Sequence, residues 1–212
     1  MEISVVGIVA IDNELNISSN GKPITFGCDS HIKSLDQAIL RSAYQYEHWH
    51  DQVVVCMGAS TFHELRHSQF MMKIRELGCV LVVSSDKDVE VTRYSSYNET
   101  LKSLETVNFD SNASKDKKKT ITSAIAYKWA LAAEDANKSP KIIVLGGLSV
   151  YDMFASAYTA FHVVTVGGPE QPINPKKLKQ KPFEMMLHAA KGTLIIGIDG
   201  LAYVRYEKKV QQ

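Results

Sequence analysis

Two short segments combine an apolar run, glycines and hydroxyl side chains in an order suited to holding a phosphate. In Val144-Leu145-Gly146-Gly147-Leu148-Ser149-Val150-Tyr151 an apolar stretch runs into two glycines and then into residues with helical spacing. Glycine lets a backbone approach a ligand closely. The first N–H groups of the helix that follows have no intrahelical partner, and the helix dipole there favours an anion. The same segment also reads as a plain tight strand-to-helix turn. It is not a Walker A loop, because no Gly-Lys-Ser/Thr follows. Met57-Gly58-Ala59-Ser60-Thr61-Phe62 repeats the pattern. Two such turns from one sheet would hold the two ends of a dinucleotide at the carboxyl edge of the strands. Ser84 and Ser85 end a third apolar run and offer hydroxyls for a phosphate.

Other chemistry-bearing residues are scattered. His48, His50, His63, His67, His162 and His188 show no HExxH or paired spacing, so no metal site is expected. The three cysteines, Cys28, Cys56 and Cys79, are far apart and lack CxxC spacing. They read as small, buried, reduced side chains rather than as a disulfide framework or a zinc site. The lysines at 117–119 and 176–177 read as solvated loop charge.

The elements that must position the glycine turns are legible from periodicity. Ile3–Ile11, Gln52–Met57, Cys79–Val83 and Lys141–Leu145 are β-branched, nearly continuous apolar runs, as expected of strands covered on both faces. Val89–Tyr94 and Phe161–Val166 predict further strands. Thr193–Ile198 and Leu201–Lys209 flank Asp199-Gly200, a strong hairpin signal. Helices are predicted over His31–Glu47, with Asp29 or Ser30 as cap, over Ser60–Arg66, over Thr122–Asn137 and over Leu148–Ala155. Leu15–Phe26 is a loop long enough to be functional or mobile, and residues 98–120 predict a polar loop insertion. This order predicts one α/β domain across residues 1–212, its sheet mostly parallel with an antiparallel edge.

Composition bounds the function. The chain has 212 residues, 24 Lys+Arg and 23 Asp+Glu, for a net charge of +1. That balance argues against a general nucleic-acid or membrane-surface binder, while leaving room for a local basic patch. A hydrophobic share of 45% with 22% charge excludes wholesale disorder. The apolar runs fall short of the about 20 residues a membrane span needs, and no basic region precedes an apolar one at the start. A small-molecule ligand and a cytoplasmic setting are expected.

Here the chain resembles the dihydrofolate reductase family. Val53–Leu65 (VVVCMGASTFHEL) resembles that family's strand, Met-Gly and Thr-aromatic segment, and Ile142–Phe154 (IIVLGGLSVYDMF) is similar to its Gly-Gly-x-x-x-Tyr segment. Ile3–Asp12 resembles the family's first strand, Asn16–Phe26 its mobile loop, and Phe161–Val166 the strand carrying a threonine, here Thr165. The resemblance implies a three-layer α/β/α fold with an antiparallel C-terminal edge hairpin. It also implies hydride transfer from NADPH to dihydrofolate or a related pterin. Gly58, Ala59, Ser60, Thr61, Ser84, Ser85, Gly146, Gly147, Leu148, Ser149, Val150 and Tyr151 would contact the cofactor. Ile8, Asp29, Ile32, Leu35 and Thr165 would form the substrate site. Asp29 lies six residues after Pro23, the family's spacing for its acid. It would bind the pteridine and assist protonation, with Thr165 hydrogen-bonded to it and the loop around Asn16–Thr25 closing over the nicotinamide.

The chain also departs from the family pattern. Helix phase places the acid's position on His31 if Ile32 and Leu35 are the apolar pair, so His31 is the fallback for Asp29, which otherwise reads as a helix cap. Ile24 stands where the family has Trp. Ala59 stands where the family has a basic residue for the cofactor's extra phosphate, which leaves NADH open beside NADPH. Gly78 stands where an arginine clamps the folate tail, with Arg75 slightly out of register. A second reading follows: a catalytically degenerate member serving as a binding or structural module. A third is a reductase of another heterocycle, as in the riboflavin-pathway reductases, against which the two glycine segments weigh.

Overall fold

The β-branched runs form a single large sheet because both of their faces are apolar. In β4 (Val53–Gly58), Val54 and Cys56 enter one buried cluster while Val53, Val55 and Met57 enter another. β8 (Lys141–Leu145) splits the same way, with Ile142 and Val144 against Ile143 and Leu145. So does β5 (Val80–Ser84), with Val80 and Val82 against Leu81 and Val83. Successive strand residues point to opposite faces. Two cores therefore sandwich the sheet, and a polar residue at either phase would be buried without a partner.

The computed structural model describes residues 3–11, 18–19, 22–23, 53–67, 69–94, 100–132, 140–155, 157–165, 190–196 and 202–208. The remaining strands are β1 (Ser4–Ile11), β2 (Ser18–Ser19), β3 (Lys22–Pro23), β6 (Asp88–Tyr94), β7 (Leu101–Asn108), β9 (Tyr158–Thr165), β10 (Ala190–Ile196) and β11 (Ala202–Lys208). Among the described residues the main sheet has nine strands in the order β10-β11-β9-β1-β8-β4-β5-β6-β7, and β2 pairs with β3 apart from it. The centre, β9-β1-β8-β4-β5, is parallel. Both flanks are antiparallel: β11 and β10 on one side, β6 and β7 on the other.

Helices cover both faces. α3 (Lys115–Leu131) brings Ile125, Ala126 and Ala130 to the first core, and α4 (Leu148–Asp152) adds Val150 and Tyr151. α2 (Gln69–Leu77) brings Met71 and Ile74 to the second, where Phe62 and Leu65 of α1 (Ala59–Leu65) also pack. The chain is thus a three-layer α/β/α structure with a mostly parallel sheet and an antiparallel C-terminal hairpin, as its sequence predicts. No helix among the described residues is long and apolar enough to cross a membrane. Cys56 and Cys79 are buried and free, and burial pushes the Cys56 thiol up to about 12; Cys28 lies outside the described residues.

Three parts differ from the sequence expectation. Residues 98–120 are not one polar loop: β7 and the first turn of α3 fall inside them. β7 is an edge strand, exposing Leu101, Lys102 and Ser103 while Leu104 and Val107 are only partly covered, so it lacks an apolar alternation. α3 begins at Lys115 rather than Thr122, because Ser114 caps it by accepting a bond from the Lys117 N–H at 3.2 Å. α2 gives a weak sequence signal, since Met71 and Ile74 are its buried anchors. Gly78, with φ of 64°, ends it: Gly78 N donates to Arg75 O and Cys79 N to Ile74 O, which satisfies its last carbonyls. The helix expected at His31–Glu47 lies outside the described residues.

Candidate functional site

β4 and β8 lie side by side and parallel, with Met57 paired to Leu145. The residues that follow, Gly58 and Gly146, therefore leave the sheet abreast. The chain then diverges, because α1 packs on one face and α4 on the other. A crevice opens where successive helices part, as at the ligand sites of other open α/β sheets.

Gly146 is required by that meeting of turns. Its φ of 144° is one that side-chain-bearing residues rarely adopt. A Cβ there would lie 3.3 Å from Thr61 Oγ1 and 3.4 Å from the Gly58 backbone nitrogen. The turn is held from behind by Tyr151, whose Oη accepts the Gly146 N–H at 3.2 Å. Tyr158 Oη in turn donates to Tyr151 O at 3.0 Å. Burial raises the Tyr151 phenol above its ordinary range, partly offset by the Gly146 N–H bond, so the ring stays neutral. Gly58 and Gly147 cap α1 and α4 with no side-chain hydrogen bond. The amides of those first turns are thus left to solvent or a ligand.

Over this pair of turns lies a cleft of about 490 Å³, a size in the ordinary range for small-molecule sites. Gly58, Ala59 and Ser60 line it from β4 and α1, Ser84, Ser85 and Asp86 from the end of β5, and Ser149, Val150 and Met153 from α4 and the turn after it. The fourth side is Lys115, Lys118 and Lys119 of α3. These positions are spaced i, i+3, i+4 and share one helix face, while Lys117 does not line the cleft. Cations in a first helical turn oppose the macrodipole at a cost of about 0.3–1 kcal/mol each. Asp116 is the only acid in that turn. Three of the four lysines at this helix start thus line the cleft, a charge arrangement that suits an anion.

The three amines are held differently. Lys119 Nζ is 3.4 Å from Asp152 and 3.8 Å from Asp116, so it ties α3 to α4. Lys118 Nζ donates to the backbone oxygen of Asp86 and lies 5.5 Å from the centre of the Phe109 ring. Lys115 has no ion-pair partner among the described residues. Ser84 Oγ is 3.2 Å from Thr122 Oγ1, which donates to Lys118 O at 2.9 Å. The Ser84 proton is therefore directed at Thr122. Ser85 Oγ donates to Asp88 and accepts from the N–H groups of Lys87 and Asp88. Both serines line the cleft with lone pairs rather than protons while these bonds stand.

The sequence-predicted cofactor residues converge in part. Gly58, Ala59, Ser60, Ser84, Ser85, Ser149 and Val150 line the cleft. Thr61, Gly146 and Tyr151 do not line it: Gly146 packs against Thr61, and Tyr151 accepts the Gly146 N–H. Gly147 and Leu148 mark the backbone entry to α4. Ile8 is paired with Leu145 and His162, and Thr165 ends β9 beside Ile11. Asp29, His31, Ile32 and Leu35 lie outside the described residues. Arg75 is 4.6 Å from the Tyr94 ring centre and donates to Arg66 O at 3.3 Å, so its guanidinium serves packing of α2. Asp86, Lys115, Lys118, Lys119 and Met153 were not expected at the site. The lysine spacing is a signal for them, but only once the segment is known to be helical. Among the described residues no cluster of His, Cys, Asp and Glu could hold a metal.

No protein-family model matches the chain, and no curated protein matches it. Among solved structures it is similar to a pyrimidine reductase-like protein from Corynebacterium diphtheriae, at 16% identity and a TM-score of 0.46, over 98% of this chain and 92% of that one.

Proposed function

We propose that the chain is a nicotinamide-dependent reductase of dihydrofolate or a related pterin. One observation carries the reading: the Gly58 turn, the start of α4 and a lysine face line one cleft at the carboxyl edge of a parallel sheet. The motif resemblance to dihydrofolate reductase supplies the reaction class.

The residues present fit the anionic part of a dinucleotide. Uncapped amides start α1 and α4, and the lining carries three lysines against Asp86. Gly58, Ser60, Ser149 and the lysines would hold the phosphates. Bound there, the nicotinamide group supplies a hydride to an electron-poor ring.

The rest of the work belongs to this chain's side chains. The parallel strands β9, β1, β8 and β4 end on one edge, so Thr165 and Gly58 stand three strand spacings apart, about 14 Å. A ligand lying along that edge would reach from the cleft to Thr165. Asp29 would hold the pterin and assist protonation of the ring nitrogen next to the carbon receiving hydride. Thr165 would orient that carboxyl group.

The test is dihydrofolate-dependent oxidation of NADPH by the purified protein, with Asp29→Asn beside it. Turnover that is lost in Asp29→Asn supports the reductase and its acid. Turnover retained in the variant keeps the reductase and moves the acid, with His31 next to be replaced. No turnover at high enzyme and cofactor, with nucleotide still bound, would instead favour a binding module.

A further inference from the structure

The two halves of α3 are fastened to the protein by different means. From Ile125 onward the hold is burial: Ile125, Ala126 and Ala130 sit in the first core. Tyr127 meets Phe154 with ring centres 5.9 Å apart, and Glu105 of β7 accepts from both Lys128 and Trp129. The stretch before it has no such anchor. No residue from Asp110 to Ile121 is buried; the apolar support there is the partly buried Ile121 and, just ahead of the stretch, Phe109. Yet this stretch brings Lys115, Lys118 and Lys119 to the cleft. Its ties to the rest of the protein are polar. Lys118 Nζ donates to Asp86 O, and Lys119 Nζ lies 3.4 Å from Asp152 of α4. The boundary between the halves is Thr120-Ile121-Thr122-Ser123, a run with low helix propensity. Its hydroxyls bond back along the helix: Thr120 to Asp116 O at 2.9 Å, Thr122 to Lys118 O at 2.9 Å and Ser123 to Thr120 O at 3.1 Å. Such bonds weaken a helix slightly and bend it. Thr122 is itself fully buried, with its Oγ1 3.2 Å from Ser84 Oγ, so it is fixed in place.

We infer that residues 110–121 are a strap along one side of the cleft, which opens by bending at Thr120–Ser123 while the rest of α3 stays packed, and that Lys119 and Asp152 are its clasp. Segments with few buried apolar contacts open locally, well below the cost of unfolding the whole domain. The cations of the first turn add to this, since they oppose the helix dipole. The clasp joins α3 to α4, whose Ser149 and Val150 also line the cleft, so its release frees one wall from the other. An ion pair with both side chains partly exposed stabilises only a little. That suits a contact which must break and remake. A buried apolar contact in its place would keep the cleft closed until the core itself opened. The strap serves any small ligand, so it does not depend on the nucleotide reading above.

The experiment is amide hydrogen exchange of the whole unliganded protein, read by mass spectrometry in water and in urea below the unfolding transition. Amides 118–121 are compared with amides 125–129, both sets having acceptors within the helix. The first set is expected to exchange at least about tenfold faster and to respond little to urea, as local opening does. Asp152→Asn should speed 118–121 about two- to fivefold and leave 125–129 unchanged. Thr120→Ala, at an exposed position, removes one back-bond and raises helix propensity, and should slow 118–121 about two- to threefold. Equal exchange in the two halves of the wild type overturns the proposal. So does an Asp152→Asn variant that leaves 118–121 unchanged, or one that speeds both halves alike, because the ion pair would then support the whole fold or nothing. Added NADPH serves as the ligand probe. Its binding should slow 118–121 more than 125–129, and binding that leaves 118–121 unchanged overturns the strap's role at the cleft. Absence of NADPH binding counts against the nucleotide reading alone, and exchange without ligand then decides the strap.

Discussion

Gly146→Ala tests whether the meeting of the two turns is what builds the site. The alanine must either keep a φ of 144° or rotate the peptide. Keeping a backbone conformation of that kind costs on the order of 1–3 kcal/mol. Its Cβ would also stand 3.4 Å from the Gly58 backbone nitrogen and 3.4 Å from Val150 Cγ2, where the backbone neighbour cannot swing aside. Tight packing of this sort is felt even for a single methyl. The sum is a loss of about 2–3 kcal/mol, which for a chain this long lowers the melting temperature by roughly 4–12 °C. Gly147→Ala is the control, because nothing lies within 4 Å of a Cβ there and its φ is ordinary. It gives up only part of a helix cap, about 0.5 kcal/mol. Thermal and urea denaturation of both variants gives the comparison, and nucleotide titration reports the cleft. An unperturbed Gly146→Ala, or a Gly147→Ala that costs as much, would refute the argument that Gly146 is fixed by contact with Gly58 and Thr61.

Two further outcomes follow from the same structure. Tyr151→Phe removes the acceptor of the Gly146 N–H; an orphaned amide there costs about 1–3 kcal/mol, so the variant should melt lower and bind nucleotide more weakly, whereas Tyr158→Phe, which leaves that amide bonded, should affect binding less. Glu105 is held below its ordinary value by the hydrogen bond from Lys128 and then by that from Trp129 Nε1. Its carboxylate therefore adds stability that is present above the unfolded value of 4.5 and is lost as pH falls through the lower folded value. Glu105→Gln should be less stable than the wild type at neutral pH and converge on it in acid, with Trp129 fluorescence as the readout.

How much of this was legible in the residues depends on how local the cause is. The four buried parallel strands show as continuous β-branched runs because a strand covered on both faces tolerates no polar residue at either phase. The glycine turns show because glycine marks backbone that others cannot follow, as Gly146 confirms with its φ of 144°. The terminal hairpin shows through Asp199-Gly200. Each of these is decided within about ten residues. β7 and α2 were not legible, since an edge strand and a helix with two buried anchors carry too little periodic apolar signal.

The cleft belongs to tertiary structure. From sequence alone, Gly58 and Gly146 are two separate turns 88 positions apart, and Ser84-Ser85 a third. Only the strand order, which seats β8 between β1 and β4, puts the two glycines in contact. Only the packing of α3 on the face of β4, β5 and β8 turns a lysine run that reads as loop charge into one wall of the cleft. Sequence determines what a local stretch can become, because propensity and burial act over a few residues. Which stretches share a cleft is decided by which faces must be covered together, and that is a property of the whole sheet.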